Sequence, residues 1–531
     1  MSHPRAALYS CCIVVASTLS VLACDPAGST PDDAVTTINA DYLVTADEAY
    51  EWALVKDASI PTLTGSPGWI DFMRFMEDKL VGYGVVDVTR NSWTFDRWST
   101  SDAPTDWSLV SDGDPVNVAF YGAYSGSTGP EGVTAPLVYY DHDDPPTSIE
   151  GKIVVIPTRP QLQAPLPANY VRTDTFNDHE YRTNDESFPP LYGFVDPSKT
   201  FTFDIYYQMR QGLWRIAAEG AAAGAVIVYD MSFARTAGMY SFGVPTLHDA
   251  PTLTLDRVEG AKVIADAKAG KSATLRLEAT VEPSEAYQLI SYLPGRDYGT
   301  EADEQIMLVT HTDGPSITQD NGALGLLAIV KYYSHIPQEQ RRRTLTVMLD
   351  CRHYMPGAER AFAEQHWWEM HPERRDKIVA MVQAEHLGEM EYREEGEEVI
   401  ATGLAEHSFI WTRNNPVLID EAIKAVKQYP WSKVQVSAPE RPGVHGGQQA
   451  YWWGIGSFAQ GDRGNGRGGW DVPAYGFGGN LGFFWSTRSR IDIWSKEVFT
   501  AQASALTQLT GVLMSRDLEE IRSHGRSDTR E

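Results

Sequence analysis

The chain predicts an α/β fold: a mixed, largely parallel sheet sandwiched by helices, with a β-rich segment inserted into it. Three observations carry that prediction. Ile306-Met307-Leu308-Val309 is a short apolar run followed by a helical stretch, Ala323 to Val330, so a buried strand hands over to a helix returning across the sheet. Thr344 to Asp350 and Ile378 to Ala384 repeat the strand pattern downstream. Residues 103–282, by contrast, are short β runs separated by Gly, Pro and Asp.

Each predicted strand ends in side chains able to hold a metal. The first delivers His311 and, nine residues on, Asp320-Asn321; the second runs into Cys351-Arg352-His353; the third into Glu385-His386. Ligands collect at this carboxyl edge of open α/β sheets. Imidazoles with carboxylates suit zinc, cobalt or manganese rather than calcium or magnesium alone.

Composition bounds the partners. At 531 residues and 42% hydrophobic content the chain has material for more than one core. A net charge of −27 excludes sequence-independent attraction to nucleic acid or anionic lipid. Arg5 followed by the apolar stretch Cys11 to Ala23 reads as a signal peptide over residues 1–23. Ala23-Cys24 resembles a bacterial lipobox, which would leave Cys24 lipidated and the chain in the cell envelope, or secreted after ordinary cleavage. Residues 24–40 are then a polar tether. Membrane contact is expected only through that anchor, and Cys24 and Cys351 alone build no disulfide framework.

In chain order, residues 41–102 carry helices at Ala46 to Val55 and Trp69 to Tyr83 and a strand at Val85 to Trp93. The inserted segment has strands at Val116 to Tyr121, Ala135 to Tyr140, Lys152 to Pro157, Gly224 to Tyr229 and Ala250 to Leu255, with helices at Leu213 to Ala223 and Gly260 to Ala269. Residues 283–516 resume the α/β alternation. Within them, Gly461 to Gly482 is rich in glycine and aromatics and reads as a long loop over the active edge. Ala501 to Arg516 is a closing helix, and residues 517–531 a tail. The run Arg341-Arg342-Arg343 reads as a solvated face, and Glu394 to Glu398 as an exposed turn.

The stretch Ile306 to Val330, with its His311-x-Asp313 and later Asp320-Asn321, resembles the co-catalytic di-zinc aminopeptidase and glutamate carboxypeptidase family. The likeness extends over about Ala46 to Ser515. The insertion resembles a protease-associated domain through Gly151-Lys152-Ile153-Val154-Val155, Ala222-Ala223-Gly224-Ala225 and Pro251-Thr252-Leu253. The resemblance implies a hydrolase of peptides or small amides in which His311, Asp320 and Glu385 hold zinc, with His353 a replaced ligand. It also breaks: Arg352-His353 stands where the family has Glu-Glu, so the usual general base has become a permanent cation. Trp485-Ser486-Thr487 stands where the family has a late His.

One zinc rather than two is therefore expected. Proton transfer would fall to His353 or to His445, in Gly443-Val444-His445-Gly446-Gly447, while Arg352 either steadies an oxyanion or forms a structural ion pair. Asp313 and His386 are expected around the ion rather than on it, Asp313 orienting His311. His386 becomes a ligand only if its strand has already ended. Trp452, Trp453, Trp470 and Trp485 read as core or as an apolar pocket wall. The rival reading is a catalytically inactive relative, a cell-surface binding module with the same fold.

Overall fold

The computed structural model describes residues 37–101, 105–159, 173–175, 212–240, 246–357, 367–406, 408–412, 415–437, 472–479 and 486–522. The signal segment, Cys24 and the tether up to residue 36, as well as His445, Trp452, Trp453, Trp470, Trp485 and the end of the tail, lie outside the described residues.

A nine-stranded sheet forms the centre. In chain order its strands are β1 (Val86–Ser99), β2 (Thr173–Thr175), β3 (Thr280–Leu293), β4 (Gln305–His311), β5 (Thr344–Asp350), β6 (Ile378–Ala384), β7 (Ser408–Thr412), β8 (Val434–Ser437) and β9 (Ala474–Gly479). Their spatial order is β1-β3-β5-β4-β6-β9-β7-β8-β2. The run β5-β4-β6-β9 is parallel, and β1, β3 and β7 join antiparallel. Ile306 and Leu308 of β4 face one buried cluster while Met307 and Val309 face another. Burial on both sides is why this strand is an unbroken apolar run.

Five helices matter for the site: α1 (Ala46–Ala58), α2 (Pro67–Gly82), α3 (Gly322–Ser334), α4 (Pro416–Gln428) and α5 (Lys496–Ser515). Thr45, Ser66, Asn415 and Ser495 each accept a backbone N–H of their helix's first turn, and Pro67 and Pro416 follow two of these caps. The Ser495 cap starts α5 about a turn before the apolar spacing suggests. The first turn of α3 packs so closely on the end of β6 that a Cβ on Gly322 would lie 1.8 Å from the Ala384 carbonyl oxygen.

The inserted segment builds its own eight-stranded sheet and its own buried cluster, with Ile153–Pro157, Gly224–Val228 and Thr252–Leu255 parallel at its centre. The paired arms β1 and β3, in register from Val86↔Tyr292 to Ser99↔Thr280, lead into it and back. The expected strand Val116 to Tyr121 is two pieces, Asp114–Val116 and Phe120–Tyr121. Thr173–Thr175, inside the insertion by sequence, pairs instead with β8 of the main sheet.

Two sequence expectations are corrected here. The glycine-rich stretch read as a loop contains β9, a buried strand parallel to β6, with Tyr475 and Phe477 packed into the helical core. Glycine lowers strand propensity, but burial between neighbours overrides it. The arginine run is not a solvated face: Arg341 is 6% and Arg343 0% exposed. Arg343 bonds to Glu304 and to the carbonyls of Leu513 and Arg516 at the end of α5, and Arg341 to those of Pro294, Tyr333 and Ile336. Cations at helix C-termini satisfy carbonyls that have no partner within the helix. Arg343→Ala should therefore lower unfolding free energy by about 2–3 kcal/mol, read by chemical denaturation, because it strands buried carbonyls. The Glu394 to Glu398 segment is, as expected, an exposed hairpin turn.

Candidate metal centre

Parallel register aligns the strand ends, with His311 of β4 opposite Asp350 of β5. The residues just beyond these ends form the site. β6 stops at Ala384, and His386 adopts a left-handed backbone with φ 57°. Neighbouring strand residues point to opposite faces. The turn removes that constraint, and the His386 Nε2 comes within 3.7 Å of Glu385 Oε2. The His311 Nε2 approaches the same carboxylate oxygen at 3.8 Å. The donor atoms of His311, Glu385 and His386 all lie within 4.8 Å of one another, and all three residues are buried.

Backbone carbonyls fix which ring nitrogen faces inward. His311 Nδ1 lies 3.1 Å from the Asp313 carbonyl and His386 Nδ1 3.3 Å from that of Gly479. A carbonyl only accepts, so each Nδ1 carries the proton and each Nε2 turns toward Glu385. The other Glu385 oxygen accepts from Gln383 Nε2 at 2.7 Å. Burial pushes His386 down to about 4, which keeps it a neutral lone-pair donor. Burial also opposes a charge on His311, but Glu385, Asp313 and Asp320 outweigh it and raise its basicity. Carboxylates that hold a proton at Nε2 would equally hold a cation.

The donor set fits zinc. Two imidazoles and a carboxylate are a set used by catalytic zinc. Separations of 3.7–3.8 Å exceed hydrogen-bond length, but they match donors each about 2 Å from a common ion.

Other residues singled out in the sequence lie differently. Asp320 was expected on the ion with His311 and Glu385. Its Oδ1 lies 2.6 Å from the Nζ of Lys56, and its Oδ2 accepts from Thr62. Burial pulls both members of that pair toward neutrality, and their mutual attraction opposes it. His353, expected as ligand or proton carrier, is not in the donor cluster: its Nδ1 lies 3.2 Å from His311 Nδ1, on the far edge of that ring, with the two rings 4.2 Å apart. Arg352 is buried and grips Asp350 through Nε at 2.8 Å and a second, shorter bond, so it forms the structural ion pair rather than reaching the donors. Asp313 does orient His311, but through its carbonyl. Its carboxylate, raised to about 6 by burial, accepts from Thr64 Oγ1 and the N–H groups of His353 and Tyr354.

The roles of four residues went unread. Asn321 leaves its own helix uncapped and clasps Leu387, just beyond His386, through Nδ2 to the carbonyl at 2.6 Å and Oδ1 from the N–H at 2.9 Å. Gln383 is a polar residue in the otherwise apolar β6, which was a usable signal. Lys56 occupies the buried stripe Ala49, Trp52, Ala53, Lys56 of α1, where helical spacing calls for an apolar residue. Thr62 carried no signal at all.

No known protein-family profile matches the chain, and no curated protein does. Solved structures do. A peptidase M28 precursor from Shewanella amazonensis SB2B superposes with a TM-score of 0.60 at 15% identity, covering 93% of this chain and 99% of that one. BSAP, a zinc aminopeptidase from Bacillus subtilis, gives 0.54 at 12% identity over 91% and 98%. An aminopeptidase from Aneurinibacillus sp. strain AM-1 gives 0.53 at 14% identity over 93% and 98%. The chain has the fold of the zinc aminopeptidases.

Proposed function

We propose that the chain is a metal-dependent hydrolase of peptide or small amide bonds, with one zinc ion held by His311, Glu385 and His386. The observation that carries this is the orientation of the two imidazoles. Both Nδ1 atoms are tied to carbonyls and both Nε2 atoms face one buried carboxylate.

A zinc ion there would supply Lewis acidity, polarising a scissile carbonyl and lowering the pKa of a water toward ~7. Around it, Gln383 and Asn321 hold the Glu385–His386 turn in place. Arg352 is held on Asp350 as an ion pair. His353, whose Nδ1 lies 3.2 Å from His311 Nδ1 beside the donor cluster, is the candidate for giving or taking a proton. The insertion would shape access, as the protease-associated resemblance implies: Tyr124, within it, donates to the carbonyl of Tyr354, next to His353. The apolar stretch before Cys24 supports export to the bacterial cell envelope. Among the described residues no helix is long and apolar enough to cross a membrane.

Arg352 at the base position and Lys56 on Asp320 favour the second reading, a binding module that kept the fold without the chemistry. Zinc analysis of purified protein, followed by a peptide and amide panel with and without chelator, separates the two. About one equivalent of zinc with chelator-sensitive turnover supports the hydrolase. Zinc without turnover on any member supports the binding module, and protein free of transition metal overturns the metal centre.

A further inference from the structure

We infer that Lys56 is a built-in cation that takes Asp320 out of the metal centre and limits the centre to one ion. The inference deepens the single-zinc reading above and rests on it. Lys56 is fully buried, and its ammonium has three oxygen neighbours: Asp320 Oδ1 at 2.6 Å, Thr62 Oγ1 at 2.6 Å and the Ser316 carbonyl at 3.1 Å. Thr62 and Ser316 accept two of its N–H bonds, and Asp320 Oδ1 faces the ammonium as an ion-pair partner. Thr62 donates to Asp320 Oδ2, while Oδ1 meets the ammonium through charge alone, without a hydrogen bond. The Phe72 ring lies 5.4 Å from Nζ and walls off solvent.

The arrangement is the oxygen shell of a small cation, with an ammonium in place of an ion. Asp320 is a carboxylate that the resemblance places on the metal. Here the chain itself delivers the balancing charge from α1, 264 positions upstream of Asp320 (320 − 56). An ion entering beside Asp320 would meet the Lys56 ammonium at contact distance, and like charges at such range repel strongly in a buried site. Buried ion pairs are often no more stabilising than an apolar pair of the same size. A role in setting the charge of the site accounts for one on the otherwise apolar stripe of a helix.

The test uses the full-length protein and counts bound zinc. Wild type should bind about one equivalent, and Asp320→Asn should still bind one, because Asp320 belongs to Lys56. Loss of that equivalent in folded Asp320→Asn would make Asp320 a ligand and overturn the inference. Lys56→Met leaves Asp320 buried and uncompensated, so in chelator its Tm should fall on the order of 5 °C. Excess zinc should then raise its stoichiometry toward two and recover the lost Tm. A Lys56→Met protein that binds one equivalent and gains no more from zinc than wild type also overturns the inference. Wild type binding no zinc would remove the single-zinc reading instead. A Tm cycle of Lys56→Met, Asp320→Asn and the double variant in chelator then decides alone: a double variant no less stable than either single one supports the internal cation, and additive losses overturn it.

Discussion

Replacing His311 with alanine should remove the bound zinc and lower kcat/KM for peptide or amide cleavage on the order of 10³-fold, with the fold retained. His311 is the donor through which the rest of the centre is organised. Its Nε2 faces Glu385, its Nδ1 is fixed on the Asp313 carbonyl, and its ring lies against His353. Removing only a partner that orients a ligand typically costs 10–100-fold in metal affinity or activity. Removing the ligand itself goes further, because Glu385 and His386 alone leave fewer donors than catalytic zinc sites use. Zinc content, kcat/KM and a circular dichroism melt on one preparation check the outcome. Turnover equal to wild type at unchanged zinc would remove His311 from both roles.

The parts of the molecule visible in its sequence are those whose signal is local. Thr344–Asp350 and Ile378–Ala384 are strands with the bounds that their apolar runs give, because both faces of these strands are buried. His311, Asp350 and Glu385 follow from where those runs stop. Two features depend on contacts that no spacing encodes. The ion-pair partner of Asp320 lies on a helix hundreds of residues upstream, a contact that its motif does not encode. The position of His386 was decided by one backbone angle, φ 57°, and neither the alternation of strand residues nor the composition fixes that angle. Arg343 misled for a statistical reason. Three adjacent arginines usually face water, but the end of α5, 170 residues on from Arg343 at Leu513, draws Arg343 inward onto carbonyls, as Pro294, Tyr333 and Ile336 draw Arg341.

Gly322→Ala should be severely damaging, costing on the order of 4 kcal/mol and disturbing zinc binding together with stability. Ordinary overpacking costs about 1–3 kcal/mol, because side chains can move aside. Here the added carbon would meet the Ala384 carbonyl oxygen at 1.8 Å and Thr310 Oγ1 at 2.4 Å. Two of the groups it meets are already committed to each other: Thr310 Oγ1 donates to that carbonyl at 2.7 Å. The backbone must therefore shift, which places the cost among the exceptional ones. The shift falls where it matters, since Ala384 ends β6 immediately before Glu385, and Asn321, adjacent to Gly322, clasps Leu387 on the other side of His386. Any outward movement of α3 pulls that clasp while pushing the strand end, so Glu385 and His386 cannot both keep their distance from His311. Chemical denaturation and zinc titration of the variant test this jointly. A loss of stability with zinc affinity intact would show that the helix yields and the metal-binding turn does not.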